Sequence, residues 1–279
     1  ERPLLFEASY KTPHWPFWAP KELFDYYRAL VTPPEIPDEV QLVNYLKRKR
    51  EGEQCFENTA EEILNARAAY FALIEWVDGE IGKLLDTLEK LGVLDDFIIV
   101  LHADHGHMAG NHGLWAKCCA YEHSVRTPMM ISWPGQIPEG KVIDTPVSNV
   151  DIFPTLCDYA GLKTPADLRG ESWRNLIDAK VPPQDFKERT ILSEFFQYDR
   201  GWVMARRGNI KLVDYWYEYQ GKEQQLFELE KDPDELNNLA GNPDLAEIQA
   251  SLQKEIDALP PAFHWDEEVE RAWHTPPMR

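Results

Sequence analysis

Apolar positions fall into two regimes along the chain. From Ile63 to Leu88 they recur at helical spacing: Ile63, Tyr70, Leu73, Ile74, Val77, Ile81, Leu84, Leu85 and Leu88. That period of about 3.6 predicts one long amphipathic helix. Thr59-Ala60-Glu61-Glu62 supplies a capping box at its start, and Gly92 stands where it should stop, so the helix is expected from about 60 to 91. Directly afterwards the pattern changes to an unbroken run, Phe97-Ile98-Ile99-Val100-Leu101. A continuous β-branched run predicts a central parallel strand, buried on both faces. Leu4 to Ser9 is a similar short run leading into a proline- and aromatic-rich stretch from Pro13 to Pro20, and Met129 to Trp133 is a third strand candidate. Residues 31–57 are polar and proline-containing, which suits a loop with a short helix. Asp151 to Leu162 reads as a helix ending at Gly161, with Pro154 in its first turn.

After about residue 185 the texture shifts to short strands separated by turn residues: Ile191–Phe196, Trp202–Arg206 and Ile210–Trp216, followed by a helix from about Leu245 to Leu259. The expected fold class is therefore α/β. Residues 1–185 are expected to form part of a mixed or parallel sheet between helices, and residues 186–279 a smaller α+β subdomain with an antiparallel sheet.

Ligands of α/β folds bind at the carboxyl ends of strands, which directs attention to the segment after Leu101. It reads His102-Ala103-Asp104-His105-Gly106-His107-Met108-Ala109-Gly110-Asn111-His112-Gly113-Leu114-Trp115-Ala116-Lys117. Five of the eight histidines fall between 102 and 123. Asp104 and His105 place a carboxylate and an imidazole together at a strand end, where both can ligate a divalent cation. The glycines allow sharp turns and close approach to a ligand. On these features alone a structural loop remains the alternative to a metal or catalytic site. Lys117 offers a compact cation for a sulfate or phosphate oxygen, although a lone lysine reads equally as surface.

The chain carries a formal charge of −19. That argues against nucleic-acid binding through phosphate neutralisation, but leaves room for an anionic substrate held by local cations. No run approaches the roughly 20 apolar residues of a membrane span. The N-terminus does not read as a signal peptide. Cys55, Cys118, Cys119 and Cys157 lack CxxC spacing and are too few for a disulfide framework.

Read together, Asp104-His105-Gly106, Gly110 to Lys117, Tyr121-Glu122 and Val125-Arg126-Thr127-Pro128 resemble the long signature of type I sulfatases, in the alkaline-phosphatase superfamily. The nearest branch is that of iduronate and choline sulfatases and phosphonate monoester hydrolases. Lys11-Thr12-Pro13-His14-Trp15-Pro16-Phe17 resembles the family's Pro-His-x-Pro loop. Asn149 to Leu156 resembles its next helix, and Leu226 to Leu239 its C-terminal ending. The resemblance implies that Asp104 and His105 ligate a divalent metal, Ca2+ foremost, with Mg2+ or Mn2+ as alternatives. It further implies that Lys117 binds a sulfate oxygen, that His14 contacts the sulfate or acts near the leaving-group oxygen, and that His112 contacts substrate. Tyr121, Glu122 and Arg126 are expected to be structural, Arg126 in a buried pair with a carboxylate.

The implied reaction is sulfate-ester hydrolysis by a formylglycine made from the cysteine of Cys-x-Pro-Ser-Arg. No cysteine of this sequence lies in that motif, so the nucleophile is expected from an N-terminal half outside it, which would also supply neighbours for a strand at Leu4–Ser9. A sulfated saccharide is the expected substrate. A phosphonate or phosphodiester hydrolase is the first alternative. A non-catalytic carbohydrate binder is the second, with Trp15, Trp18, Trp202, Trp216 and Tyr217 as its stacking residues. The family resemblance implies a secreted, periplasmic or lysosomal setting.

Overall fold

The computed structural model describes residues 4–34, 36, 42–53, 59–179, 181–197, 200–217 and 221–259; Cys55 lies outside them. The fold is mixed α/β and divides into two compact units, Glu1–Asp144 with Asn149–Lys180, and Thr145–Ser148 with Val181–Arg279.

The first unit begins with α1 (Lys21–Arg28) and α2 (Asn44–Glu53), followed by the long α3 (Ala60–Lys90). The capping box forms as the sequence requires: the Thr59 hydroxyl accepts from Glu62 N–H, and the Glu62 carboxylate accepts from Thr59 N–H. Gly92 closes the helix in the left-handed region at φ 70°. Only the N-terminal half of α3 is deeply covered, through Ala68, Ala69, Ala72 and Leu73. These small side chains let α1 approach, with Tyr27 stacked on Phe71 and Arg28 Nε donating to Asn65.

β1 (Ile99–His102) follows α3, then α4 (Glu122–Val125) and β2 (Met129–Ser132). β1 pairs with β2 in antiparallel register, from Ile99 opposite Ser132 to His102 opposite Met129. This corrects the expectation of a central parallel strand. The apolar run reports coverage rather than direction, and the chain between 103 and 128 doubles back to lay β2 alongside β1. The expected strand at Leu4–Ser9 is also absent: these residues have no regular secondary structure and are exposed, Leu5 at 86%. With no ladder partner in this chain, its backbone groups gain nothing from an extended pairing.

The unit closes with α5 (Ile152–Tyr159) and α6 (Arg174–Asp178). Buried Asp151 anchors both, accepting from Glu171 N–H and Trp173 Nε1, while Thr155 Oγ1 accepts from Trp173 N–H. Asn149 Nδ2 donates to the carbonyl of Ala103, tying this segment to the end of β1.

The second unit contains α7 (Gln184–Glu188), an antiparallel meander β3 (Ile191–Gln197), β4 (Arg200–Arg207), β5 (Ile210–Tyr217) and β6 (Lys222–Glu228), and α8 (Ala246–Asp257). Its core unites Val203, Ala205, Leu212 and Leu226 of the sheet with Leu252, Ile256 and Leu259. Trp202 and Tyr217 are buried, and Trp216 packs on Phe196 at 5.0 Å. These three aromatics are therefore packing residues and not free stacking platforms; only Trp15 and Trp18 of the five stand exposed.

Candidate functional site

The loop after β1 is built on close backbone approach. Gly106 N–H donates to the carbonyl of Ser124 at 2.7 Å, and a Cβ at Gly106 would lie 2.3 Å from the His123 carbonyl oxygen. Only glycine fits there. Between 109 and 118 six residues occupy the left-handed region: Ala109, Gly110, His112, Gly113, Ala116 and Cys118. Four of these are not glycine, a density of backbone strain that gathers where function fixes side-chain positions. The surroundings hold the loop in place. Met108 N–H donates to Ala116, Gly110 N–H to Leu114, and Arg67 of α3 reaches the Ala109 carbonyl at 2.6 Å. The Tyr45 hydroxyl donates to the Cys118 carbonyl.

His105 Nδ1 lies 2.8 Å from the Gly106 carbonyl, which can only accept, so Nδ1 carries the proton. Nε2, the ring nitrogen left for a ligand, sits 3.4 Å from the Asp104 carboxylate. Two acceptors facing one another require a proton or a cation near them. The Asp104 side chain is 85% exposed, so the pair opens outward. This donor set suits a hard or borderline divalent ion but supplies only two ligands, and among the described residues no group of three or more His, Cys, Asp or Glu side chains converges. The pair fits as part of a metal site.

His107 stands at the centre of the cluster. Its ring packs against Tyr70 (4.8 Å), Phe17 (5.8 Å) and Trp115 (6.3 Å), and its Nδ1 accepts from Ala109 N–H at 2.9 Å. Burial, and then the charges of His105, Lys117, His14 and Lys49, push its imidazole down to about 4. It is neutral at pH 7, with its proton on Nε2. Phe17 brings the N-terminal loop against it and Trp115 the loop after β1. His14 lies between the prolines of two cis peptide bonds, at Pro13 and Pro16, half-exposed, with Nδ1 donating to the Trp15 carbonyl at 2.8 Å.

The expected site residues thus separate. Asp104 and His105 stand together, and the loop that carries His14 packs through Phe17 on His107 of the same cluster. His112 is buried at 2% exposure and stacks flat on Tyr121 at 3.9 Å, an arrangement that fixes the loop. Arg126, expected in a buried carboxylate pair, is instead exposed and makes no ion pair among the described residues. His107, Lys49 and Arg50 were not singled out from sequence. His107 lay within the quoted segment without a role. The basic run Lys47-Arg48-Lys49-Arg50, unusual in so acidic a chain, was the available signal for the other two.

The Sulfatase family model matches residues 1–162, and the model for the C-terminal part of N-sulphoglucosamine sulphohydrolase matches residues 110–261. A choline-sulfatase of Rhizobium meliloti (strain 1021) is 36% identical over 278 residues, which cover 96% of this chain and 52% of that relative. The solved structure of BT4656 with its substrate D-glucosamine-2-N,6-O-disulfate is 28% identical, with TM-score 0.65, covering 76% of this chain and 44% of that one. The phosphonate monoester hydrolase of Silicibacter pomeroyi is 25% identical, with TM-score 0.75, covering 88% and 53%. The chain spans about half the length of these relatives. With one family model matching residues 1–162, more than half of its 279 residues, the chain belongs to the sulfatase family.

Proposed function

We propose that this chain supplies the metal- and sulfate-binding half of a sulfuric ester hydrolase acting on a sulfated carbohydrate. The observation that carries this is the pairing of Asp104 with His105, 3.4 Å apart and open to solvent, on a strained loop against which Phe17 of the Pro-His loop packs. A sulfate ester is an anion whose hydrolysis places further charge on its oxygens, so fixed cations that need no reorganisation are what the reaction requires. Sulfatases generally use a metal ion and a formylglycine. In this reading Asp104 and His105 hold the metal, Ca2+ foremost, and the nucleophile comes from residues outside this sequence.

When bound, the cation supplies Lewis-acid charge to the sulfuryl oxygens. Lys117 binds a sulfuryl oxygen through its ammonium, a point charge that tolerates the rotation of a tetrahedral anion. His14 stands near the leaving-group oxygen, which must gain a proton as the S–O bond breaks and water is consumed. His107, neutral and clamped between Phe17, Tyr70 and Trp115, adds no charge of its own. Exposed Trp15, its ring 5.6 Å from that of His14, offers a face to a sugar ring.

A second reading, a phosphonate or phosphodiester hydrolase at the same site, is favoured by the likeness to the Silicibacter pomeroyi enzyme. The two separate on turnover of 4-nitrophenyl sulfate against an aryl phosphonate ester by the full-length enzyme with Ca2+. The sulfatase reading expects kcat/KM to favour the sulfate. Lys117→Ala should lower it by about 10²-fold or more, the scale of one lost charge-stabilising group. Preference for the phosphonate, or full sulfatase activity in the Lys117→Ala enzyme, would refute the assignment.

A further inference from the structure

The site loop carries one reactive feature that the proposed reaction leaves aside, the adjacent thiols of Cys118 and Cys119 directly after Lys117. Neither is in a disulfide. Their surroundings differ: Cys119 is fully buried, whereas Cys118 is partly exposed. The backbone turns sharply on both sides of Lys117, with Ala116 at φ 55° and Cys118 at φ 71°, each a non-glycine residue in the left-handed region. Two hydrogen bonds hold that turn. Met108 N–H donates to the Ala116 carbonyl at 2.7 Å, and the Tyr45 hydroxyl of α2 donates to the Cys118 carbonyl. The direction in which Lys117 leaves the loop is therefore set by the torsions of the residues beside it.

Consecutive Cα atoms across a trans peptide lie about 3.8 Å apart, closer than the roughly 4.4 Å at which ordinary disulfides begin. A bridge between Cys118 and Cys119 therefore closes a small, strained ring through the peptide that joins them, and strained disulfides are the readily reduced ones. We propose that Cys118 and Cys119 are a reversible redox site, at which a small-molecule disulfide converts the pair into a vicinal disulfide that displaces Lys117. The Cys118 thiolate, the one that solvent reaches, attacks a sulfur of the small disulfide. A mixed disulfide forms on Cys118, the small S–S bond breaks, and one thiol leaves with the proton that Cys118 gave up. The Cys119 thiolate then attacks Cys118 Sγ from within the fold, closing the ring and releasing the second thiol with the Cys119 proton. Two protein thiols are oxidised and one disulfide is reduced to two thiols. The peptide whose carbonyl Tyr45 holds lies in that ring, so closure turns it away from the hydroxyl and moves the adjoining Lys117.

The effect on activity rests on the sulfatase reading, whereas the covalent step does not, and the test reads them separately. The full-length enzyme is incubated with oxidised glutathione and then with dithiothreitol, and followed by peptide mass spectrometry and by turnover of 4-nitrophenyl sulfate. The peptide holding both cysteines should lose two hydrogens and retain no glutathione. Turnover, as kcat/KM, should fall by about 10²-fold, the scale of a displaced positioning group, and dithiothreitol should reverse both changes. Cys118→Ser should keep its turnover in oxidised glutathione. Cys119→Ala should trap glutathione on Cys118, a readout that stands even where Cys118→Ser fails to fold. Both thiols still reduced after exposure, or glutathione retained on Cys118 of the wild type, overturns the redox site. Ring closure with unchanged turnover overturns the displacement of Lys117 and leaves the sulfatase intact. No turnover of the aryl sulfate by the reduced wild type overturns the sulfatase reading, while the mass change still decides the covalent step.

Discussion

Gly106→Ala tests whether close backbone approach assembles the site. The added Cβ would lie 2.3 Å from the His123 carbonyl oxygen, 3.1 Å from its carbon and 3.3 Å from the Arg126 carbonyl oxygen. Ordinary contact begins near 3.4 Å, so the His123 carbonyl has to retreat by about 1 Å. The obstacle is backbone, which cannot rotate away as a side-chain tip would. Retreat stretches the 2.7 Å bond from Gly106 N–H to Ser124, which contributes about 1 kcal/mol. Overpacking against a fixed wall adds about 1–3 kcal/mol. The expected loss is therefore about 2–4 kcal/mol in urea unfolding of this chain. In the full-length enzyme the same displacement moves His105 away from Lys117, so kcat should fall even where the protein remains folded. A variant within about 0.5 kcal/mol of the wild type, the range of ordinary surface substitutions, with normal turnover, would refute the reasoning.

Two further predictions concern parts of the fold away from the site loop. Lys211 and Glu235 form an ion pair with both side chains fully excluded from solvent, so Glu235→Gln removes the carboxylate paired with a buried lysine. It should cost about 3–5 kcal/mol in urea unfolding, and the Lys211→Met/Glu235→Leu double variant should recover most of that; a loss under about 1 kcal/mol would show the pair to be dispensable. Burial first, and then the charge of Asp178, raise the Tyr159 phenol to about 12. Its proton is kept in the fold but lost from the unfolded chain above pH 10, so stability should fall as pH rises from 10 to 12, and ultraviolet titration should lose one late-ionising tyrosine in Tyr159→Phe.

What was legible in the sequence was what local rules govern. Thr59, Glu62 and Gly92 mark the ends of α3 because capping and left-handed closure act over four residues. The meander was visible in Ile191–Trp216 because turn residues separate its strands. β6 was seen only as part of a motif, its Gln224 and Gln225 giving no apolar alternation. Strand direction was not legible, since Ile98 to Leu101 would look the same in either sense. The burial of His112 was also hidden: its neighbours Asn111 and Gly113 suggest an open loop, whereas stacking on Tyr121 is set by a turn that brings together residues nine positions apart. Arg126 failed for a related reason, because its pairing depended on which side of α4 faces inward.

The site itself shows the same division. Asp104 and His105 are adjacent, so their joint chemistry can be read directly. The role of His107 cannot, because it arises from Phe17, Tyr70 and Trp115 closing around it from separate segments. Net charge misleads for the same reason. A chain of −19 looks ill-suited to an anion, yet Coulomb interactions fall with distance and with solvent screening, beyond about 8 Å at physiological salt. The acidic residues on the outer face of α3 are therefore weak partners for a substrate, while a half-buried cation such as Lys117 acts at short range. An acidic exterior with a basic interior also has a kinetic consequence. It slows the approach of an anionic substrate but strengthens its hold once inside, so binding to this site should weaken with salt through faster dissociation more than through slower association.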